Sequence, residues 1–183
     1  MKSHHRHSIR MKGFDYATPW WYYVTICVHQ HFPFLGKVED GKVALSVAGR
    51  IAQECWEQIP EHFPNVELDY FVIMPNHIHG VIIINEKKEI QDSRDVKFNV
   101  PTEKEYYSRI SPKKNSLSTI VRTFKAAVTR ECKRNGYNRF CWQSSFYDRI
   151  IRNEKELFEI RKYIEYNPLK WELEKEIPEN MEL

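Results

Sequence analysis

Glycine is scarce in this sequence, six of 183 residues, which argues against repeat arrays and long flexible linkers. No fixed-period self-similarity is present either. Cysteine is confined to four widely spread positions, Cys27, Cys55, Cys132 and Cys141. Without a C-x-x-C pair there is no zinc-ribbon or thioredoxin-like signature, so these thiols read as buried or half-buried residues of a reducing compartment. No apolar run approaches the roughly 18 residues that a membrane span needs. The basic, His-rich beginning has no apolar stretch behind it and so does not read as a secretory signal. The expectation is a soluble cytoplasmic protein with no membrane partner.

Aromatic and apolar residues, in contrast, are plentiful. Ten Phe, ten Tyr and five Trp within a 42% hydrophobic composition are enough to build a genuine core, and the length fits a single domain over residues 1–183. The net charge of +3 is unevenly placed, because the segment Glu172–Leu183 carries five Glu against Lys175 alone. A basic body with an acidic tail at 172–183 points to a polyanionic partner such as nucleic acid. The arm at 1–13, with His4, His5, His7, Arg6, Arg10 and Lys12, is either a metal-binding tract or a disordered arm lying near a polyanion, and we read it as the second.

Hydrophobic periodicity orders the rest. Trp21 to Val28 is rich in aromatic and β-branched residues and predicts a strand. Asp40-Gly41 predicts the turn of a short hairpin. Val47, Ile51, Cys55 and Ile59 recur at four-residue spacing and predict a helix from about Ser46 to Ile59, stopped by Pro60. Val66 to Met74 and His77 to Ile84 predict two antiparallel strands joined through Pro75-Asn76. Residues 85–115 are polar and aperiodic, a long surface excursion. A second helix begins at Ser116, an N-cap residue, with Leu117, Ile120, Val121, Phe124 and Val128 as its apolar stripe. Arg122, Lys125, Arg130, Lys133 and Arg134 lie off that stripe, either as an ordinary solvated face or as a phosphate-facing surface. A further strand is predicted around Tyr147 to Ile151.

Two places carry chemistry. In Met74-Pro75-Asn76-His77-Ile78-His79-Gly80 the histidines are two apart on a strand, so they share a face with Val81 and Ile83, while Ile78, Gly80, Ile82 and Ile84 share the other. Two imidazoles side by side can hold one metal ion, though a His-x-His pair also arises by chance. Gly80 in a strand marks a close approach by another group. Downstream, Asn153 followed by Glu156 resembles a capping box, and the helix it starts is predicted to end at Pro168. Leu157, Ile160 and Ile164 form its buried stripe. Tyr163 and Asn167, one turn apart at its edge, either pack there or converge on one point beside the core. Glu156 lies on the same line.

Taken in order, Met74 to Gly80, Trp142-Gln143, Phe146-Tyr147-Asp148-Arg149-Ile150-Ile151-Arg152-Asn153-Glu154 and Tyr163-Ile164-Glu165-Tyr166-Asn167-Pro168 resemble the REP-associated tyrosine transposases of the HUH superfamily. Ser8 to Tyr16 and Tyr23 to Cys27 fit the opening of that family, so the resemblance spans about residues 8 to 171. It implies an α+β fold, the ferredoxin-like HUH palm, with an antiparallel sheet of four or five strands and packed helices. It implies that His77, His79 and Asn167 hold a divalent cation, Mg²⁺ or Mn²⁺, and that Tyr163 is the nucleophile. The substrate it implies is single-stranded, hairpin-forming palindromic DNA, cut through a 5′-phosphotyrosine intermediate by a monomer rather than a dimer. Arg6, Arg10, Lys12, Arg122, Lys125, Arg149 and Arg152 are the candidate DNA contacts, and Glu156 is a candidate general base. Two competing readings are a hairpin DNA- or RNA-binding protein without catalysis and a metal phosphodiesterase without a covalent step.

Overall fold

A computed structural model describes residues 15–86, 113 and 115–176. The basic arm, nearly all of the excursion at 85–115, and the tail beyond 176 lie outside the described residues, and with them Arg6, Arg10 and Lys12. The elements are β1 (Trp20–Cys27), a 3-10 turn (His29–His31), β2 (Gly36–Glu39), β3 (Lys42–Leu45), α1 (Val47–Glu57), the short α2 (Ile59–His62), β4 (Val66–Ile73), β5 (His77–Ile84), α3 (Leu117–Arg134), β6 (Tyr147–Ile150) and α4 (Glu154–Glu176).

Strands β4, β5, β1 and β6 form one sheet in that order, antiparallel at every pairing. With α1 and α3 as the crossovers this is the β-α-β-β-α-β ferredoxin-like plan. The fold is thus the α+β, HUH-type palm that the resemblance implies. Among the described residues β2 and β3 form a separate two-stranded hairpin, turned at Asp40-Gly41, both with positive φ, as an Asp-Gly turn requires.

Strand alternation divides the core in two. Tyr22, Val24 and Ile26 of β1 and Ile78, Ile82 and Ile84 of β5 pack against Ile51, Ala52 and Trp56 of α1 and Ile120, Phe124 and Val128 of α3. Tyr23 of β1 and Val81 of β5 point the other way, into a smaller cluster with Leu157, Ile160 and Ile164 of α4. Gly80 sits where the first core is tightest. A Cβ there would stand 2.3 Å from Cζ2 of the Trp56 indole, so the close approach predicted for this glycine is made by a core aromatic.

The helix ends are set by their caps, and two differ from expectation. Ser46 and Ser116 accept hydrogen bonds from the N–H groups of Gly49 and Thr119 and start α1 and α3 as predicted. Pro60 does not simply stop α1, which ends at Glu57. It occupies the first turn of α2 instead, where its missing N–H costs nothing. Pro168 does not end the last helix, which runs on to Glu176. The lost backbone bond is offset by tertiary contacts: Glu172 accepts from the Gly41 N–H, and the Trp171 ring lies 5.7 Å from that of His77. No helix among the described residues is long and apolar enough to cross a membrane.

Candidate active site

His77 and His79 leave β5 on the α4 side of the sheet, as the two-residue alternation requires. Their Nε2 atoms face each other at 2.9 Å. Each Nδ1 is engaged behind the ring. His77 Nδ1 meets Asn76 Oδ1 at 2.6 Å, and His79 Nδ1 meets the hydroxyls of Tyr23 at 2.6 Å and Thr25 at 2.9 Å. The β1–β5 register places Thr25 directly opposite His79, and Tyr23 lies two residues along the same face. The imidazoles are therefore oriented from behind, with their Nε2 atoms turned toward each other.

Burial keeps both rings neutral. His79 is only 5% exposed. Its pKa is pushed down to about 3, first by loss of hydration and then by the neighbouring His77. His77 is lowered to about 4 by burial and by His31. Both imidazoles thus have no charge to lose at neutral pH, which is the state in which histidine ligates metals.

The last helix brings the second half. The Tyr163 ring stands edge-on to His79, with centroids 5.2 Å apart, and edge-on to Tyr23 at 6.4 Å. Asn167, one turn later, is buried. His77, Tyr163, Asn167, Lys170, Trp171 and Glu174 line one small cleft of about 160 Å³. Tyr163 remains 43% exposed. Lys170 places its ammonium 5.9 Å from the centre of that ring.

Two imidazoles and an amide could hold an octahedral cation. Two nitrogens at about 2.1 Å from one ion and at right angles stand about 3.0 Å apart, close to the observed Nε2 separation. Among the described residues no three His, Cys, Asp or Glu side chains gather into a metal cage. The third candidate donor in the cleft, Asn167, is an amide. Three neutral donors would leave an ion's full charge to act on an anionic substrate.

Tyr163 also lines a larger cleft of about 630 Å³, between β6 and the first half of α4, together with Tyr147, Arg149, Arg152 and Glu156. Arg149 and Arg152 therefore border the tyrosine. Glu156 is spent on structure: one oxygen pairs with Arg149 and the other accepts from the Arg152 N–H, while its own N–H is capped by Asn153. Both carboxylate oxygens have partners, which leaves a poor general base.

Arg122 and Lys125 are placed elsewhere. Their helix α3 packs on the opposite face of the sheet. Arg122 lines a groove there with His62, Phe63 and Arg130. Lys125 donates to the carbonyls of Gln143 and Ser145 at 2.8 and 2.9 Å, and burial lowers its pKa to about 8. Neither residue borders the histidine cleft.

Four contributors escaped the sequence reading. Tyr23 and Thr25 could have been found from one signal, their shared strand face, had the β1–β5 register been known. Asn76 was visible only as a turn residue. Trp171 lay beyond the predicted helix end.

No protein-family model matches the sequence. An uncharacterized protein of Haemophilus influenzae is 38% identical over 172 residues, which cover 92% of this chain and 91% of that one. Among solved structures, a REP-associated tyrosine transposase bound to a REP hairpin superposes with a TM-score of 0.58 and 16% identity, over 91% of this chain and 74% of that chain. That similarity establishes the fold.

Proposed function

We propose that this chain, which belongs to one family with the Haemophilus influenzae protein and has the fold of a REP-associated tyrosine transposase, is a metal-dependent single-stranded DNA transesterase acting on hairpin-forming DNA. The observation that carries the reading is that His77, Tyr163 and Asn167 line one cleft, with His79 directly behind it, its Nε2 2.9 Å from that of His77 and its ring edge-on to Tyr163.

A tyrosine hydroxyl, with an ordinary pKa near 10, is a weak nucleophile at neutral pH, and a phosphodiester repels anions. When bound, a divalent cation polarises the scissile phosphate and neutralises the charge that builds on it. The residues of this chain do the rest. His77, with Asn76 behind it, His79, with Tyr23 and Thr25 behind it, and Asn167 would hold the cation. The Tyr163 oxygen gives up its proton and attacks phosphorus, its bond to phosphorus replaces that of the 3′-oxygen, and that oxygen takes up a proton, so the strand leaves with a free 3′-OH. The resulting 5′-phosphotyrosine stores the linkage energy, so the reverse attack rejoins strands without ATP. Arg149 and Arg152, which line the larger cleft with Tyr163, would meet the flanking phosphates, Arg149 by exchanging its pairing with Glu156. Two imidazoles and an amide suit Mn²⁺ better than Mg²⁺, the harder ion that prefers an all-oxygen shell.

The test is incubation with hairpin-bearing single-stranded DNA and Mn²⁺, followed by denaturing electrophoresis. The expected result is a protein–DNA adduct in the wild type and none in Tyr163→Phe. Cleavage that survives Tyr163→Phe identifies a phosphodiesterase without a covalent step, and binding without cleavage or adduct identifies a binding protein.

A further inference from the structure

We propose that Asn76 is a positioning residue which sets the tautomer of His77, and that the main-chain carbonyl of His31 sets Asn76. The argument follows from which groups can only donate and which can only accept. The Asn76 side chain is gripped at both ends: Nδ2 lies 3.0 Å from the His31 carbonyl oxygen, and Oδ1 lies 2.6 Å from His77 Nδ1. A backbone carbonyl accepts and never donates, so the amide atom facing it has to be the NH₂. That orientation turns Oδ1 toward the imidazole, and an amide oxygen also only accepts. His77 must then carry its proton on Nδ1, leaving a bare lone pair on Nε2, which faces His79 Nε2.

His79 is held differently. Its Nδ1 faces two hydroxyls, Tyr23 and Thr25, and a hydroxyl can donate or accept. With His77 Nε2 bare, the hydrogen in the 2.9 Å contact between the two rings has to come from His79 Nε2. Its Nδ1 then accepts from a hydroxyl. To offer both lone pairs to one cation, His79 must move its proton to Nδ1, and the same hydroxyls then accept it. One ligand is pre-set and the other is adaptable.

The carbonyl that starts this chain of constraints comes from an unfavourable backbone. Gln30 and His31 have φ of 52° and 53°, the left-handed region that residues with a Cβ seldom adopt. The turn is tied down by His29 N–H to the Cys141 carbonyl, and Val28 N–H holds the Asn76 carbonyl at 2.8 Å. Strain of this kind tends to persist where it serves a site. Here it aims the His31 carbonyl at Asn76.

The proposal rests on the use of the histidines as metal ligands, so its test has one arm that does not involve metal. Long-range ¹H–¹⁵N spectra of the metal-free protein are expected to show His77 protonated at Nδ1 and His79 at Nε2. His77 protonated at Nε2 overturns the proposal. The second arm is Mn²⁺ affinity followed by electron paramagnetic resonance. Asn76→Ala should weaken binding by on the order of 10–100-fold, the usual effect of losing a residue that orients a ligand. Asn76→Asp keeps an acceptor for Nδ1–H but cannot donate to His31, so it should stay within about threefold of wild type. If Asn76 merely anchored the 29–31 turn, Asn76→Asp would bind as weakly as Asn76→Ala, and that result overturns the proposal. His31→Gly, which keeps the carbonyl and relieves the strain, should retain affinity, and a loss equal to that of Asn76→Ala would show that the imidazole mattered instead. Failure of the wild type to bind Mn²⁺ would defeat the proposed function while leaving the tautomer assignment to stand or fall on the metal-free spectrum.

Discussion

On the α1/α3 side of the sheet, β5 presents Ile78, Gly80, Ile82 and Ile84 to the core that holds Trp56 and Phe124, and the packing is close. On the α4 side the same strand presents His77, His79, Val81 and Ile83, and only Val81 and Ile83 join the apolar cluster under that helix. One strand therefore builds both a packed core and a polar cleft, because its side chains alternate. The difference teaches where stability and chemistry are kept apart. The first face can carry the folding free energy, so the second can spend buried positions on imidazoles that are held neutral and on a tyrosine left partly open.

That division can be broken from either side. Trp56 is fully buried, and Trp56→Ala should cost about 3–5 kcal/mol, measured by chemical denaturation. Gly80→Ala forces a methyl into the indole contact and should cost about 1–3 kcal/mol. Loss of cation binding in either variant should track unfolding. The double variant His77→Ala/His79→Ala should do the reverse. Mn²⁺ affinity should fall at least ~100-fold, because both ring donors are gone, while the apolar packing on the α1/α3 side is untouched. A double variant that kept its Mn²⁺ affinity would place the ion elsewhere.

The pH dependence sharpens the same contrast. Unfolded histidine titrates near 6.5, whereas folded His77 and His79 are pushed down to about 4 and about 3. Between these limits the unfolded chain binds protons that the folded chain refuses. Stability from this source is complete above about pH 6.5 and is lost as pH falls toward 4. In the presence of a chelator, denaturation midpoints should therefore fall from pH 7 to 5 in the wild type and fall less steeply in the double histidine variant. Equal slopes would contradict buried, neutral rings.

The smallest expected effect belongs to Glu156. Its pairing with Arg149, whose side chain is 58% exposed, is worth about 1 kcal/mol or less. Glu156→Gln should lower stability by no more than that and leave the rate of adduct formation within a few-fold of wild type. A drop of a hundredfold or more would return Glu156 to the role of general base.

Local pattern made much of this readable from the amino acids. Period-two alternation put His77 and His79 on one face, the four-residue step put Tyr163 over Asn167, and Ser116 and Asn153 marked helix starts because capping is a short-range interaction. What stayed hidden depends on contacts distant in sequence. Pro168 is a stop signal by local rules, yet the helix runs on to Glu176, where Glu172 accepts from Gly41, in a hairpin more than a hundred residues earlier. Tyr23 and Thr25 join the site only through the β1–β5 register. Arg122 and Lys125 read as a basic face, but neither composition nor periodicity says which side of the sheet a helix covers.

The central claim is that the α4 face is an active centre in which Tyr163 becomes joined to DNA. Mass-spectrometric mapping of the adduct formed with hairpin-bearing single-stranded DNA and Mn²⁺ tests it most directly. The account predicts one modified residue, Tyr163, carrying a 5′-phosphate linkage. Linkage at Tyr147 or Tyr166, the other exposed tyrosines on β6 and α4, or cleavage with no linked residue, would contradict it.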